Sequence, residues 1–196
     1  MELNENKIKL SILILSTHTR RNTFLPISLN MVYGQLEKSK YKENVEILYL
    51  VDNKIMTVGE KRNKLKSIAS GEYIVFVDDD DRIADTYIDD IVEATLSSPD
   101  VISFNFELCK NNTKKHLVLF SIKYQTNFHI NDIYYRIPND KVAIKRSVFN
   151  LVNYENISLG EDNDISFKLK PYLNTETKIN KVLYYYDYNG ATTETQ

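Results

Sequence analysis

Four consecutive carboxylates, Asp78, Asp79, Asp80 and Asp81, follow directly on the apolar run Tyr73–Val77. Side chains alternate along an extended chain, so Asp78 and Asp80 are expected on one side and Asp79 and Asp81 on the other. Two carboxylates at that spacing suit a hard divalent cation, because Mg²⁺ and Mn²⁺ take oxygen ligands and share them with substrate phosphates. Adjacent negative charges also repel, and a counter-ion relieves that cost. The alternative is a solvated acidic turn in which Asp81 or Asp85 caps the next helix. Other polar groups stand where apolar runs end: Ser16–Arg21 (STHTRR), Val51–Asn53 (VDN), and Arg62 with Asn63. A second acidic group, Gly160–Asp164 (GEDND), opens a helix-like segment, where carboxylates also complement the helix dipole.

These residues need a scaffold that gathers strand ends at one edge. The run Ile8–Leu15 is nearly all apolar and reads as a strand buried on both faces. Asn22–Glu37 reads as a helix on Leu25, Leu29, Val32 and Leu36. Val45–Val51 is a second strand, and Gly59–Ser70 a helix that Gly71 is expected to stop. Tyr73–Val77, Asp85–Leu96 and Val101–Leu108 continue as strand, helix and strand. Such alternation predicts an α/β fold with a mostly parallel central sheet flanked by helices. The second half is more irregular. Strands are expected at His116–Tyr124 (after the turn-like KNNTKK), Lys141–Lys145 and Ile179–Tyr188, and a helix at Glu161–Leu169. In open α/β sheets ligands sit beyond the carboxyl ends of the strands, where the acidic run lies.

Composition narrows the class. The 196 residues, with 25 Lys+Arg against 27 Asp+Glu, fit one globular domain and give no chain-wide basic footprint for nucleic acid. The single cysteine excludes an internal disulfide framework and a cysteine-based zinc site, and is consistent with a cytoplasmic setting. No apolar run is long enough for a membrane span, and the acidic N-terminus does not read as a signal peptide.

Taken together, the motifs resemble those of inverting glycosyltransferases of family 2, which have the nucleotide-sugar-binding GT-A fold. The resemblance rests on Ser16–Arg21 after the first strand and on Asp52 at the end of the second. It continues through Gly59, Arg62, Asn63, Gly71, Tyr73, Phe76, Asp78 and Asp80 to the pair Glu161/Asp162 opening a helix. It covers about Lys9–Asp187, and the short chain with its KLKPYL and LYYYDY tail is similar to compact enzymes of tailed phages.

The resemblance implies one GT-A domain over 1–196, with a nucleotide-sugar-binding half at 1–108 and an acceptor-binding half at 109–196. It implies that Asp52 contacts the base and Arg62 the base or a phosphate, with Thr17, His18, Arg20 and Asp79 also on the donor. Asp78 and Asp80 would hold the ribose and a Mn²⁺ or Mg²⁺ ion, supplying charge that the acidic chain, with few clustered cations, lacks. Asp162 would be the general base for the acceptor hydroxyl, with Glu161 on the acceptor side. At the helix N-terminus Asp162 would be held ionised. Each position also has a plainer reading: Asp52 as a turn residue, Arg62 as a surface helix cation, and the 161–164 acids as helix-terminal residues. The late segment Leu183–Gly190 has no His for a further metal contact, leaving Asp187 or water. The other two histidines, His116 and His129, read as structural.

The donor implied is a uridine diphosphate sugar, and the acceptor is open between glycan, protein and a modified DNA base. A nicotinamide-cofactor enzyme and a sugar-nucleotide pyrophosphorylase both need a glycine-rich loop that STHTRR does not supply. The remaining alternative is a catalytically degenerate nucleotide-sugar-binding module.

Overall fold

The computed structural model describes residues 7–110 and 114–188. The core of the KNNTKK turn (residues 111–113) and Gly190 therefore lie outside the described residues. In chain order the elements are β1 (Leu10–Thr17), α1 (Phe24–Leu36), β2 (Val45–Asp52), α2 (Val58–Ile68), β3 (Tyr73–Asp78), β4 (Arg82–Ile83), α3 (Tyr87–Ala94) and β5 (Val101–Lys110). They continue with β6 (Lys114–Phe120), β7 (Phe128–Ile130), β8 (Ile133–Arg136), β9 (Ala143–Lys145), α4 (Arg146–Phe149), α5 (Glu161–Leu169) and β10 (Glu176–Tyr188).

The first three long strands form the expected parallel unit, with β1 in the centre. Leu10 faces Val45 on one side and Tyr73 on the other. Leu10, Ile12, Leu13 and Ile14 are all inaccessible to solvent, as a strand covered on both faces requires. The second half turns the sheet mixed. β9 inserts antiparallel between β3 and the start of β5, and β6 pairs antiparallel with the rest of β5. β10 runs parallel to β5 and meets β4 at Tyr184 and Tyr185. The strands β7 and β8 extend the far edge beyond β6. No helix among the described residues is long and apolar enough to cross a membrane.

Several expected boundaries move. The stop for α2 is Ala69 in an extended conformation, not Gly71. Gly71 is needed for a different reason: a Cβ there would lie 2.5 Å from Ser11 Oγ and 2.6 Å from Ser11 N, so only glycine lets the chain pass against β1. The third helix begins at Tyr87 after Thr86, and neither Asp81 nor Asp85 caps it. Phe76 of β3 packs edge-on against Phe149 and Tyr154, which draws the 140–160 region onto the strand that carries the acidic run.

Candidate active site

The cleft lies beyond the carboxyl ends of β1 and β3, a cavity of 250 Å³. Four cations face it, Arg20, Lys61, Arg62 and Lys141, and so do Asp78, Asp79, Asp80, Glu161 and Asp162. The expectation that the chain has few clustered cations fails here. The cations come from three separate segments, with Lys61 and Arg62 adjacent on α2, and only the fold brings them together.

The acidic run does not alternate as an extended strand would. β3 ends at Asp78 and the chain turns at once, with the Asp81 N–H donating to the Asp78 carbonyl at 3.2 Å. Each carboxylate is consequently met by a polar partner, with Arg20 shared by Asp79 and Asp80. Arg20 Nη2 lies 2.7 Å from Asp79 Oδ1 and 3.0 Å from Asp80 Oδ2, and Ser16 Oγ donates to Asp79 Oδ2 at 2.6 Å. These contacts tie the segment after β1 to the acidic turn. Asp78 pairs with Lys141 Nζ and, at 3.4 Å, with Arg62 Nη2. Tyr184 accepts from the Asp78 N–H at 3.1 Å and donates to Asp81 Oδ2 at 2.5 Å. Asp79 and Asp81 are buried, so the run is not a solvated turn.

Charge follows from these partners. Burial alone would raise Asp78, but Lys141 and Arg62 outweigh it and hold that carboxyl below its usual range. Asp81 is pushed well up by burial and by the charge on Asp78. Asp79 is also raised, chiefly by burial, against the pull of Ser16 and Arg20.

Arg62 is the hub. It is 3 % exposed, which rules out a surface helix cation. Its Nη1 lies 2.7 Å from the fully buried Asp140, and its Nη2 3.4 Å from Glu161 Oε1. Tyr154 donates to Asp140 Oδ2 at 2.8 Å, and Asn63 brackets the Tyr154 backbone from both sides. Asp140 and Lys141 were not legible as site residues. They sit beside the acidic run because β9 continues their segment in register with β3, where Tyr73 faces Lys145.

The helix heads at the cleft differ. The first N–H groups of α2 are all engaged: Thr57 and Glu60 form a reciprocal capping box, Val58 donates to Ser158 Oγ and Gly59 to the Ile157 carbonyl. A Cβ on Gly59 would fall 1.9 Å from the Glu155 carbonyl oxygen. Gly59→Ala is therefore expected to cost about 1–3 kcal/mol by prising α2 from the 155–158 loop that borders the cleft. Denaturant melting checks this, and an unchanged midpoint would contradict it. At the head of α5, Asp162 Oδ1 accepts from the Asn163 N–H at 2.8 Å. Burial and the nearby Asp140 raise the Asp162 carboxyl, against a smaller pull from Arg62 and Lys141.

Other expected residues fall differently. Thr17 and Arg20 line the cleft, whereas His18 is exposed and stands beside Arg21, outside it. Asp52 is held at the side by Lys61 Nζ at 3.0 Å and by the Met56 N–H, and these outweigh burial to keep its carboxyl low. Lys61, not Asp52, reaches the cavity wall. Glu161 is turned inward to Arg62, one residue from Asp162, and lines the cleft. Asp187 is engaged by Arg82 at 3.1 Å and does not line the cleft.

Among the described residues no set of three or more His, Cys, Asp or Glu side chains is disposed to hold a metal. Asp78 and Asp80 both line the cavity, however, and offer hard oxygen donors. Such a pair fits a shared site, completed by phosphate and water oxygens, rather than a dedicated one.

No family model and no curated protein matches the chain. Solved structures do. The crystal structure of S. aureus TarS 1-349 aligns with TM-score 0.65 at 18 % identity, over 92 % of this chain and 60 % of that one. The same region in complex with UDP-GlcNAc gives 0.63 at 18 % identity, over 96 % and 62 %. Its complex with UDP gives 0.62 at 19 % identity, over 93 % and 61 %. The chain thus spans about three-fifths of the length of these structures. At this identity the likeness establishes architecture: the chain has a GT-A fold, a mixed α/β domain with its cleft at the carboxyl ends of β1 and β3.

Proposed function

We propose that the chain is an inverting glycosyltransferase that moves a sugar from a uridine diphosphate sugar to an acceptor hydroxyl. The carrying observation is the cleft itself, where four cations and Asp162 line the same cavity as the acidic turn. A nucleoside diphosphate brings the negative charge that such cations can meet. The same fold in TarS holds UDP and UDP-GlcNAc.

In this reading residues of 1–108 supply most of the donor site, with Thr17, Arg20, Lys61, Arg62, Asp78 and Asp79 around the nucleotide sugar and Asp52 behind Lys61. The 109–196 half contributes Lys141, Asp162 and the acceptor side. Arg62 acts from within, holding Asp78 and Glu161 in place. Asp162 takes the proton of the acceptor hydroxyl while its oxygen attacks the anomeric carbon. The bond from that carbon to the diphosphate oxygen breaks, and the nucleoside diphosphate leaves with the electron pair. One displacement inverts the configuration. Asp78 and Asp80 would hold a Mn²⁺ or Mg²⁺ ion, which would supply further positive charge to the leaving group.

Thermal unfolding with UDP tests this reading. UDP at ~100 times its dissociation constant, with Mn²⁺, is expected to add about 2.7 kcal/mol, a rise of about 5–11 °C for a chain of this size. EDTA should remove most of the shift, and Asp80→Asn should abolish the difference between the two conditions. Equal shifts with and without metal would remove the cation from the mechanism. Tighter binding of GDP than UDP by calorimetry would overturn the choice of nucleotide.

A further inference from the structure

A second cavity of 340 Å³ adjoins the cleft and is not explained by the donor. The two share four residues, Asp78, Lys141, Asp162 and Tyr186, so Asp162 borders both. Buried Phe106 and Phe120 form part of its lining, and the half-buried rings of Tyr134 and Tyr186 stand beside them. Three amide side chains, Asn127, Asn139 and Asn163, complete its polar lining. Asn127 donates to Asn163 Oδ1 at 2.9 Å, which ties the segment before β7 to the head of α5.

The charge inside this cavity selects the ligand. Its cations are Arg136 and Lys141. Arg136 Nη1 donates to the Phe128 and Tyr135 carbonyls, with its guanidinium 4.9 Å from the centre of the Tyr134 ring, and Lys141 pairs with Asp78. Against them stand three carboxyl groups, Asp78, Asp81 and Asp162. Two cations set against three carboxyl groups give a phosphate-bearing acceptor no net attraction, and a purely aliphatic alcohol would leave amides facing hydrocarbon. A neutral sugar satisfies both surfaces, setting its C–H face on aromatic rings and its hydroxyls on amides.

We propose that this cavity receives the acceptor, and that the acceptor is the terminal sugar of a neutral glycan. The proposal rests on the transferase reading above, and places the attacking hydroxyl where the two cavities meet at Asp162.

The test uses the full chain with UDP-glucose and UDP-N-acetylglucosamine as donors. Acceptors are the methyl pyranosides of glucose, galactose, mannose and N-acetylglucosamine, set against glucose 6-phosphate, 1-octanol and single-stranded DNA. At least one methyl pyranoside is expected to show saturation-transfer NMR contacts and to accelerate UDP release. Tyr134→Ala should raise the KM of that acceptor about tenfold, and Tyr134→Phe should restore it, while the calorimetric Kd for UDP stays within about twofold. Stimulation by glucose 6-phosphate, octanol or DNA in place of every methyl pyranoside would overturn the proposal. So would an acceptor KM that Tyr134→Ala leaves unchanged. UDP binding with no glycoside response overturns this proposal alone. Glycoside contacts that Tyr134→Ala removes, in a chain that does not bind UDP, support the cavity and overturn the donor reading. The NMR contacts on the unaltered chain decide the matter even if Tyr134→Ala does not fold.

Discussion

Asp162→Asn is expected to lower turnover by about 10²–10⁴-fold, the usual worth of general base catalysis, with little change in the affinity for UDP. The substitution keeps the size of the side chain and an oxygen to accept the Asn163 N–H, so the head of α5 should stay formed. What is lost is the ability to hold a proton. The pH profile gives a second check. A base works when deprotonated, so the rate falls as pH drops through its pKa. Burial and Asp140 raise the Asp162 carboxyl, so the acid limb should lie above the ordinary carboxylate range. Near-normal turnover in the Asn variant, or retained anomeric configuration in the product, would reject the assignment.

Arg62→Met should have the largest effect on stability, about 3–5 kcal/mol, because it strips the partner from a buried cluster. Asp140, Asp78 and Glu161 all lean on that guanidinium. The loss corresponds to a fall of about 6–20 °C in Tm for a chain of this size. Arg62→Lys should rescue little, since a single ammonium cannot reproduce a planar fork that spans three carboxylates. The pH dependence has a definite sign. Asp78 is depressed in the folded chain, so its contribution is present above its unfolded value and lost as pH falls through the folded one. Removing Arg62 raises Asp78 and weakens that contribution. The penalty should therefore be full near neutral pH and shrink only below the ordinary carboxylate value, as pH falls towards about 2. A variant that melts with the parent chain at pH 7 would contradict this account.

The elements that sequence reading located best are those whose side-chain period is unambiguous. The helix at Glu161–Leu169 and the strand cores of β1, β2 and β3 fall where the apolar pattern puts them. The strands β7 and β8 escape the pattern because FHI and IYYR are mixed and short, β7 being exposed and β8 only partly covered. At the site, the acidic run and Asp162 stand out as residue types, but their partners do not. Nothing in IPNDKVA marks Asp140 or Lys141. Their place follows from the β3–β9 register, a long-range pairing that local pattern does not encode. The direction of the carboxylates was misread for a related reason. Alternation holds only while a strand lasts, and β3 ends at Asp78.

The contacts that close the cleft also carry information about the order in which the chain can assemble. Arg62 and Glu161 are 99 residues apart and Tyr184 and Asp81 103, against 63 between paired residues of β1 and β3. Contacts of such separation carry a large loop-closure cost before they reward it, so they form late in folding. The strand that fastens the acidic turn, β10, is also the last strand among the described residues. A chain still emerging from the ribosome has β1, β2 and β3 in hand long before Tyr184 arrives to lock the Asp78 N–H and Asp81. Acquisition of nucleotide binding during refolding should therefore trail the recovery of secondary structure, which makes the nucleotide a reporter of the final step.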